Sequence, residues 1–224
     1  MSYKNDALIE AAAANDEALV LKILSDGSSD KADPNAMDGF GWTALHEACA
    51  QGSINTKIIK ALLDAGANPN IFPDEGFSAL QLAVQRQSTE AVSLLIDAGA
   101  DLEHLHGGRL DTMYYAAKSS NSNMVALLIK KGADTKFVNK EGDTALHILV
   151  RENADREVTN LVKGGADLDV KNADGESPRE LAKRLSSEEP LNKSYVALLK
   201  AKIDRESKCD RKSFKNRGPK PPSV

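Results

Sequence analysis

Aromatic side chains are scarce in this sequence. Its 224 residues include one tryptophan, four tyrosines and five phenylalanines. A core with so few rings must be built from alanine, leucine, isoleucine and valine. The sequence also lacks a run of about 18 apolar residues, the length that a membrane-spanning helix needs. We therefore expect no membrane insertion.

Cysteine is almost as rare, with two residues in the whole chain. Cys49 lies in a segment of small, core-facing helix residues, whereas Cys209 lies far away in a polar tail, so we expect no disulfide between them. Low cysteine use is typical of a reducing compartment. The first residues do not have the composition of a signal peptide. We expect an intracellular protein that is cytoplasmic, nuclear or both.

Sequence signatures of catalysis are missing too. There is no GxxxxGK[ST] loop, no HExxH, no CxxC and no GxSxG. The many acidic residues, such as Glu188 and Glu189, are explained by a solvated surface. We predict that the protein is not an enzyme and that it has neither catalytic residues nor a cofactor.

What the sequence does contain is a repeat. Four tripeptides follow one another at intervals of 33 residues: Gly66-Ala67-Asn68, Gly99-Ala100-Asp101, Gly132-Ala133-Asp134 and Gly165-Ala166-Asp167. A second marker keeps step with spacings of 35, 33, 33 and 33, in segments that begin at Thr43, Ser78, Asp111, Thr144 and Ser177. Two markers at one period indicate a single supersecondary unit copied along the chain.

Each copy predicts two helices. Thr or Ser at positions 43, 78, 144 and 177 is a good N-cap for a first helix with small residues on one side. A second helix follows, with an apolar stripe such as Ile58, Ile59, Leu62 and Leu63. The glycine of the tripeptide then ends that helix, because glycine adopts the left-handed conformation that other residues avoid. A single copy cannot cover its own stripe, but stacked neighbours can.

This pattern resembles the ankyrin repeat, which has a 33-residue period and a Thr-Pro-Leu-His marker. The resemblance implies an all-α solenoid of about six helix-turn-helix repeats with β-turn or hairpin connections, in one domain over residues 1–204. We place the repeats at about 4–36, 37–72, 73–105, 106–138, 139–171 and 172–204. Residues 205–224 form a basic, proline-containing tail that we expect to be disordered.

The four histidines fall into two pairs. His46 and His147 occupy the histidine of the repeat marker, where the resemblance implies a structural role that ties neighbouring turns together. His104 and His106 alternate in a short segment and would point the same way if it is extended. Because a metal site needs three or four ligands, we expect exposed turn histidines and no tight metal binding.

The resemblance also implies that a protein partner docks on a concave face formed by turn tips and first helices, with the protein acting as a monomeric adaptor, scaffold or regulatory subunit. The residues assigned to this face are Met37, Phe40, Trp42, Phe72, Asp74, Glu75, Phe77, Arg86, Leu105, Leu110 and Lys118. Four of the ten aromatics lie on the tips flanking repeats two and three, and exposed apolar clusters mark interaction sites. Alternatively, these rings pack on each other and stiffen the turns.

The tail supports an alternative function. It carries a net charge of +5, so residues 1–204 carry −9 of the total of −4. Such a tail solubilises, or it contacts nucleic acid or serves as an address through its clustered Lys and Arg, or it forms a short polyproline II ligand. In the second case the protein would be a nucleic-acid-associated factor that uses the tail, with the repeats as a docking arm.

Overall fold

The protein is described by a computed structural model over residues 3–27, 31–73, 76–103, 112–118 and 121–188. Within these ranges the chain is helical and contains no strand, as the all-α prediction requires. Several predicted residues lie outside the described ranges, so their predictions stay as they were: Asp74, Glu75, His104, Leu105, His106, Leu110 and the tail 205–224.

Eleven helices lie in the described residues, and most of them alternate between a first and a second helix of a repeat. Their bounds are α1 Tyr3–Ala13, α2 Glu17–Leu24, α3 Ala44–Ala50, α4 Thr56–Asp64, α5 Ala79–Gln85, α6 Thr89–Asp97, α7 Thr112–Lys118, α8 Ser122–Lys130, α9 Ala145–Arg151, α10 Asp155–Gly164 and α11 Pro178–Glu188.

The predicted N-caps are confirmed, and their hydrogen bonds explain where the first helices begin. Ser78 Oγ accepts from the Gln81 amide at 3.2 Å, and Gln81 Oε1 accepts in return from the Ser78 amide at 3.1 Å. Thr144 and His147 make the same reciprocal pair at the start of α9. Each pair satisfies two amides that a helix start would otherwise leave without partners.

The glycine of each tripeptide ends a second helix in the predicted way. Gly66, Gly99, Gly132 and Gly165 all have positive φ, between 87° and 118°. After α4, for example, the Ala67 amide donates to Leu62 O at 2.9 Å. This bond closes the helix end with a left-handed glycine, a conformation that costs a residue with a Cβ about 1 kcal/mol.

The chain divides into two compact units, Met1–Asp134 and Thr135–Val224. In the first unit α1, α3, α5 and α7 pack side by side in one layer, and α2, α4 and α6 pack side by side in a second. The two layers bury the aliphatic stripes of the second helices, including Ile59, Leu62 and Leu95, which are completely covered. The core is therefore built from small and aliphatic side chains, as the lack of aromatics predicts.

In the second unit α9 packs against α10 and against α11. A buried carboxylate organises the turn before α9: Asp143 is ion-paired with Arg151 and accepts from Asn172 Nδ2 at 3.1 Å. Neighbouring turns approach closely here, because a Cβ on Gly142 would lie 2.8 Å from the backbone nitrogen of Ala173. The turn at 139–143 and the turn at 172–176 are thus joined by polar bonds and by backbone contact.

A ladder of side chains links successive repeats of the first unit. Asn35 Oδ1 accepts from the Asn68 amide at 2.7 Å, and Asn70 Oδ1 accepts from the Asp101 amide at 2.7 Å. At the following step Glu103 Oε1 accepts from the Asp134 amide at 2.9 Å. In every case a side chain of the earlier repeat bonds to the tripeptide backbone of the later one. We call these contacts the repeat ladder.

No helix in the described part of the chain combines the length and the apolar character needed to cross a membrane.

Candidate functional site

The turn before α3 presents its aromatic side chains on a hydrogen-bonded frame. Asp38 Oδ1 accepts from the Phe40 amide at 2.8 Å and from the Trp42 amide at 2.9 Å. The Asp38 amide donates to Trp42 O, and an isolated bridge joins Met37 to Thr43. Gly41, with φ +79°, allows the chain to reverse between the two rings. Phe40 and Trp42 are therefore held by the backbone rather than by a helix.

The following turn lies directly against this frame. The Cα of Pro73 would be 3.5 Å from a Cβ on Gly41, and a Cβ on Gly76 would lie 3.2 Å from Pro73 Cβ and 3.6 Å from Trp42 Nε1. Glycine at position 76 thus leaves room for Pro73 and the indole of Trp42. This close approach brings Phe72 beside the rings of the preceding turn.

Together the two turns line a groove of about 740 Å³, which we call the turn groove: Met37, Asp38, Gly39, Phe40, Gly41, Trp42, Glu47, Phe72 and Pro73.

The apolar side chains of the turn groove are open to solvent to an unusual extent. Phe40 is 85% exposed and Met37 is 47% exposed, while Trp42 and Phe72 are half-buried. By contrast, the core-facing side chains of α4 and α6, such as Ile59, Leu62 and Leu95, are completely covered. Uncovered aromatic surface next to a preformed depression is the property of an interaction site rather than of a core.

Two carboxylates share the turn groove with these rings. Glu47, on α3, is half-buried, and its pKa is raised by that burial and by the nearby charge of Asp38. Within the described ranges, neither Asp38 nor Glu47 forms an ion pair, and no Lys or Arg lines the groove. The groove is therefore an apolar surface with uncompensated negative charge.

His46 is buried next to the groove, and its ring centroid lies 5.9 Å from the ring centroid of Trp42. Its Nδ1 accepts from the Thr43 amide at 3.3 Å and lies 2.9 Å from the Thr43 hydroxyl. Burial lowers the pKa of His46 to about 4, opposed in part by the Ile71 carbonyl and by Asp38. The Ile71 carbonyl does not complete a hydrogen bond of ordinary geometry with Nε2. His46 is thus a neutral, structural residue.

His147 confirms the structural role predicted for this position. Its Nδ1 accepts from the Thr144 amide at 3.2 Å, and its Nε2 lies 3.0 Å from Glu176 O in the next turn. Burial lowers its pKa, with the Glu176 carbonyl opposing. Both histidines tie a turn to its helix, and His147 also ties it to the neighbouring turn.

The structure brings together only some of the predicted site residues. Met37, Phe40, Trp42 and Phe72 share the turn groove. Phe77 instead packs edge-on against Tyr115 of α7, with ring centroids 5.2 Å apart, and Tyr115 is not one of the four turn rings that the alternative packs on each other.

Two predicted cations also lie outside the turn groove. Arg86 Nε donates to Ala50 O at 2.8 Å, and Lys118 lies over the Tyr114 ring at 5.8 Å. Both side chains stay exposed. The assignment of Phe77, Arg86 and Lys118 to a partner site remains a prediction.

Five residues that line the turn groove were not assigned to a site from the sequence: Asp38, Gly39, Gly41, Glu47 and Pro73. Glu47 directly follows the marker histidine on the first helix. Because the histidine faces inward, this neighbouring position was the one sequence signal that Glu47 lies beside the turn. Pro73 carried no signal, because its contact with Gly41 depends on how two turns approach in space.

The described residues do not suggest a catalytic or metal centre. No three of their His, Cys, Asp or Glu side chains lie close enough to hold a metal ion. Cys49 is completely buried, and burial raises the pKa of its thiol well above the usual range. A thiol in that state is a packing residue rather than a nucleophile.

Comparison with known families agrees with the repeat pattern and the paired helices. The model of ankyrin repeats (3 copies) matches residues 8–106 and 108–190. The chain belongs to the ankyrin-repeat family. Ankyrin repeats are in general protein–protein interaction modules and not enzymes.

Solved structures show the same fold. This ankyrin-repeat chain matches a chain in the complex of a predatory endopeptidase from Bdellovibrio bacteriovorus with an immunity protein, at TM-score 0.65 and 30% identity, covering 87% of this chain and 97% of that one. It also matches the ankyrin repeat domain of Bcl-3, a unique member of the IkappaB protein family, at TM-score 0.65 and 28% identity, covering 80% of each chain.

Among curated proteins, the mitochondrial disaggregases are similar over part of the chain. Identity is 38% over 96 residues with the Bos taurus protein and 41% over 86 residues with the Homo sapiens protein, covering 38% of this chain in both cases. The chain spans only 13% and 11% of the length of these relatives. The similarity therefore concerns a short segment of much longer proteins.

Proposed function

We propose that this ankyrin-repeat protein recognises a partner protein through the turn groove, as an adaptor, scaffold or regulatory subunit. The observation that carries the proposal is the exposure of Phe40 beside Trp42 and Phe72 in a preformed depression. An aromatic side chain buries roughly 150–250 Å² when it is covered, which is worth several kcal/mol at about 25 cal/mol per Å². A backbone-held turn also loses little conformational entropy when it binds.

The comparisons support a binding role without identifying the partner. One structural neighbour is itself seen in a complex between two proteins, an endopeptidase and an immunity protein. Nothing on the described residues favours the alternative function in nucleic-acid binding, which depends on the tail. As the sequence suggests, we further propose that the protein is intracellular, that it acts as a monomer and that the groove belongs to the concave face of the repeats.

The test is to capture a partner with the full chain and then measure its affinity for matched variants by titration calorimetry. Phe40→Ala and Trp42→Ala should each weaken binding by about 2 kcal/mol or more, the usual order for a central anchor. Lys60→Ala and Lys130→Ala change exposed residues on α4 and α8 and should change the affinity by less than about 0.5 kcal/mol. Folded Phe40→Ala and Trp42→Ala proteins that bind like the wild type would place the site elsewhere.

A further inference from the structure

The chemistry of the turn groove specifies what the partner must present. We infer that the partner inserts an arginine side chain between the exposed ring of Phe40 and the half-buried rings of Trp42 and Phe72, with its guanidinium directed at Glu47 and Asp38. This inference rests on the proposed function, since it assumes that the turn groove is the binding site. It adds the class of residue that is recognised.

Charge is the first observation behind the inference. Glu47 and Asp38 both line the groove, and among the described residues neither has an ion-pair partner and no basic side chain lines the groove. The Asp38 carboxylate accepts two backbone amides through Oδ1. A half-buried carboxylate beside a second one is destabilised until a cation arrives, and burial together with Asp38 already raises the pKa of Glu47.

The aromatic surface is the second observation. The faces of Trp and Phe carry a negative quadrupole that attracts a cation positioned over the ring. The groove contains three such rings, and the one at position 40 is the most exposed large apolar side chain of this surface. An anionic or purely apolar side chain would have no favourable electrostatic interaction with the carboxylates. A neutral polar side chain would interact only weakly with the faces of the rings.

Arginine suits this combination better than lysine. Its guanidinium is planar and more weakly hydrated, so it stacks on aromatic faces and enters a partly buried site at a lower desolvation cost. It also offers several donors in a fixed fork that matches carboxylate oxygens. The groove volume of about 740 Å³ leaves room for the residues on either side of the arginine.

The experiment uses three synthetic pentapeptides with the full-length protein: acetyl-Gly-Leu-Arg-Leu-Gly-amide and its versions with lysine or citrulline at the central position. Citrulline keeps the shape of arginine but has no charge. The chain has one tryptophan, so the single indole cross-peak in a ¹H–¹⁵N spectrum reports directly on Trp42. We expect the arginine peptide to shift this peak and to bind with a dissociation constant on the order of 1 mM. Either analogue should bind at least about tenfold more weakly.

A matched pair of variants tests the carboxylate. Glu47→Gln should weaken binding of the arginine peptide about tenfold, as expected for the loss of a charged hydrogen-bond partner. It should not change the affinity for the citrulline peptide. Glu90→Gln, an exposed acid on α6 outside the groove, should leave both unchanged. The inference is overturned if the arginine peptide binds no more tightly than the citrulline or the lysine peptide. It is also overturned if Glu47→Gln binds the arginine peptide as tightly as the wild type while the rest of its spectrum shows an unchanged fold.

The outcomes also separate this inference from the proposed function. If Phe40→Ala abolishes binding of the captured partner while the three peptides bind alike, the turn groove is the site but arginine is not its ligand. If the arginine peptide binds selectively while Phe40→Ala keeps the captured partner, the groove recognises arginine but does not hold that partner.

Discussion

At the scale of single residues, the first helices begin with a reciprocal cap, in which the side chain of the third helical residue bonds back to the cap amide, and that residue varies between repeats. In repeat three the partner is Gln81, and in repeats two and five it is His46 and His147. A histidine can accept from the cap amide through Nδ1 only while that nitrogen carries no proton. Burial and this hydrogen bond both favour the neutral ring, so the repeats with histidine carry a sensitivity to pH that the repeat with glutamine does not.

The sign of that sensitivity follows from the direction of the pKa shift. The folded-state pKa of His46 is about 4, below its ordinary value of 6.5, so its contribution to stability is complete above pH 6.5 and is lost as the pH falls toward 4. The loss amounts to about 3 kcal/mol at most. His147 shifts in the same direction. The His46→Gln substitution copies the cap of repeat three. We predict that its free energy of unfolding falls less between pH 7 and pH 4 than that of the wild type.

Urea denaturation of both proteins at several pH values checks this prediction. All other titrating groups are common to the two chains, so the difference between their free energies of unfolding isolates His46. Its effect should develop between pH 6.5 and 4 and level off below. Parallel curves for the two proteins would show that the pKa of His46 is the same in the folded and unfolded states.

At the scale of elements, the turns before the first helices are built alike but packed differently. Gly142 and Gly175 hold the same position in adjacent turns, with φ of +77° and +75°. A Cβ on Gly175 would meet nothing within 4 Å, whereas one on Gly142 would lie 2.8 Å from the nitrogen of Ala173. Substitutions at the two glycines can therefore distinguish the free-energy cost of the left-handed backbone conformation from that of steric contact between neighbouring turns.

Replacing each glycine by alanine should reveal this difference. Gly175→Ala should lower the free energy of unfolding by about 1 kcal/mol, the cost of a left-handed residue with a Cβ. Gly142→Ala should lower it by about 2–4 kcal/mol, because the turn at 172–176 must also move. Chemical denaturation followed by circular dichroism measures both. Equal losses would mean that the two turns are free to separate at no cost.

The elements also show which features the sequence can predict. Helix starts at Ser78 and Thr144 and helix ends at Gly66 and Gly165 follow from bonds within a few residues, so composition and spacing were enough. The groove was only partly foreseen, because its walls come from turns about 30 residues apart.

Side-chain direction was the part that spacing did not determine. Phe72 and Phe77 flank the same turn, yet Phe72 lines the groove and Phe77 packs against Tyr115. Similarly, the Arg86 side chain turns back to the carbonyl of Ala50. Each outcome depends on a neighbouring repeat, and a repeat period assigns positions to a unit without saying which neighbour a side chain contacts.

At the scale of the whole molecule, charge is distributed unevenly. Residues 1–204 carry −9 and the last twenty residues carry +5. A groove with two uncompensated carboxylates on an acidic background attracts a basic partner over a range set by the Debye length, about 10 Å at 0.1 M salt. Long-range attraction of this kind acts mainly on the rate of association.

We therefore predict that salt slows association with a basic partner more than it changes dissociation. Raising the salt concentration from about 0.02 M to 0.5 M should lower the association rate constant about tenfold. Stopped-flow fluorescence of Trp42 measures both rate constants. An association rate constant that does not depend on salt would show that the acidic surface takes no part in the encounter.

The repeat ladder has a consequence for how the protein is made. In each of its steps the side chain belongs to the earlier repeat and the backbone group to the later one; Asn35, for example, accepts from the Asn68 amide and donates to the Gly66 carbonyl. A ribosome releases the chain in that same direction. Every side chain of the ladder is therefore synthesised before the tripeptide that it bonds, and we expect each bond to form when the later repeat packs against the earlier one.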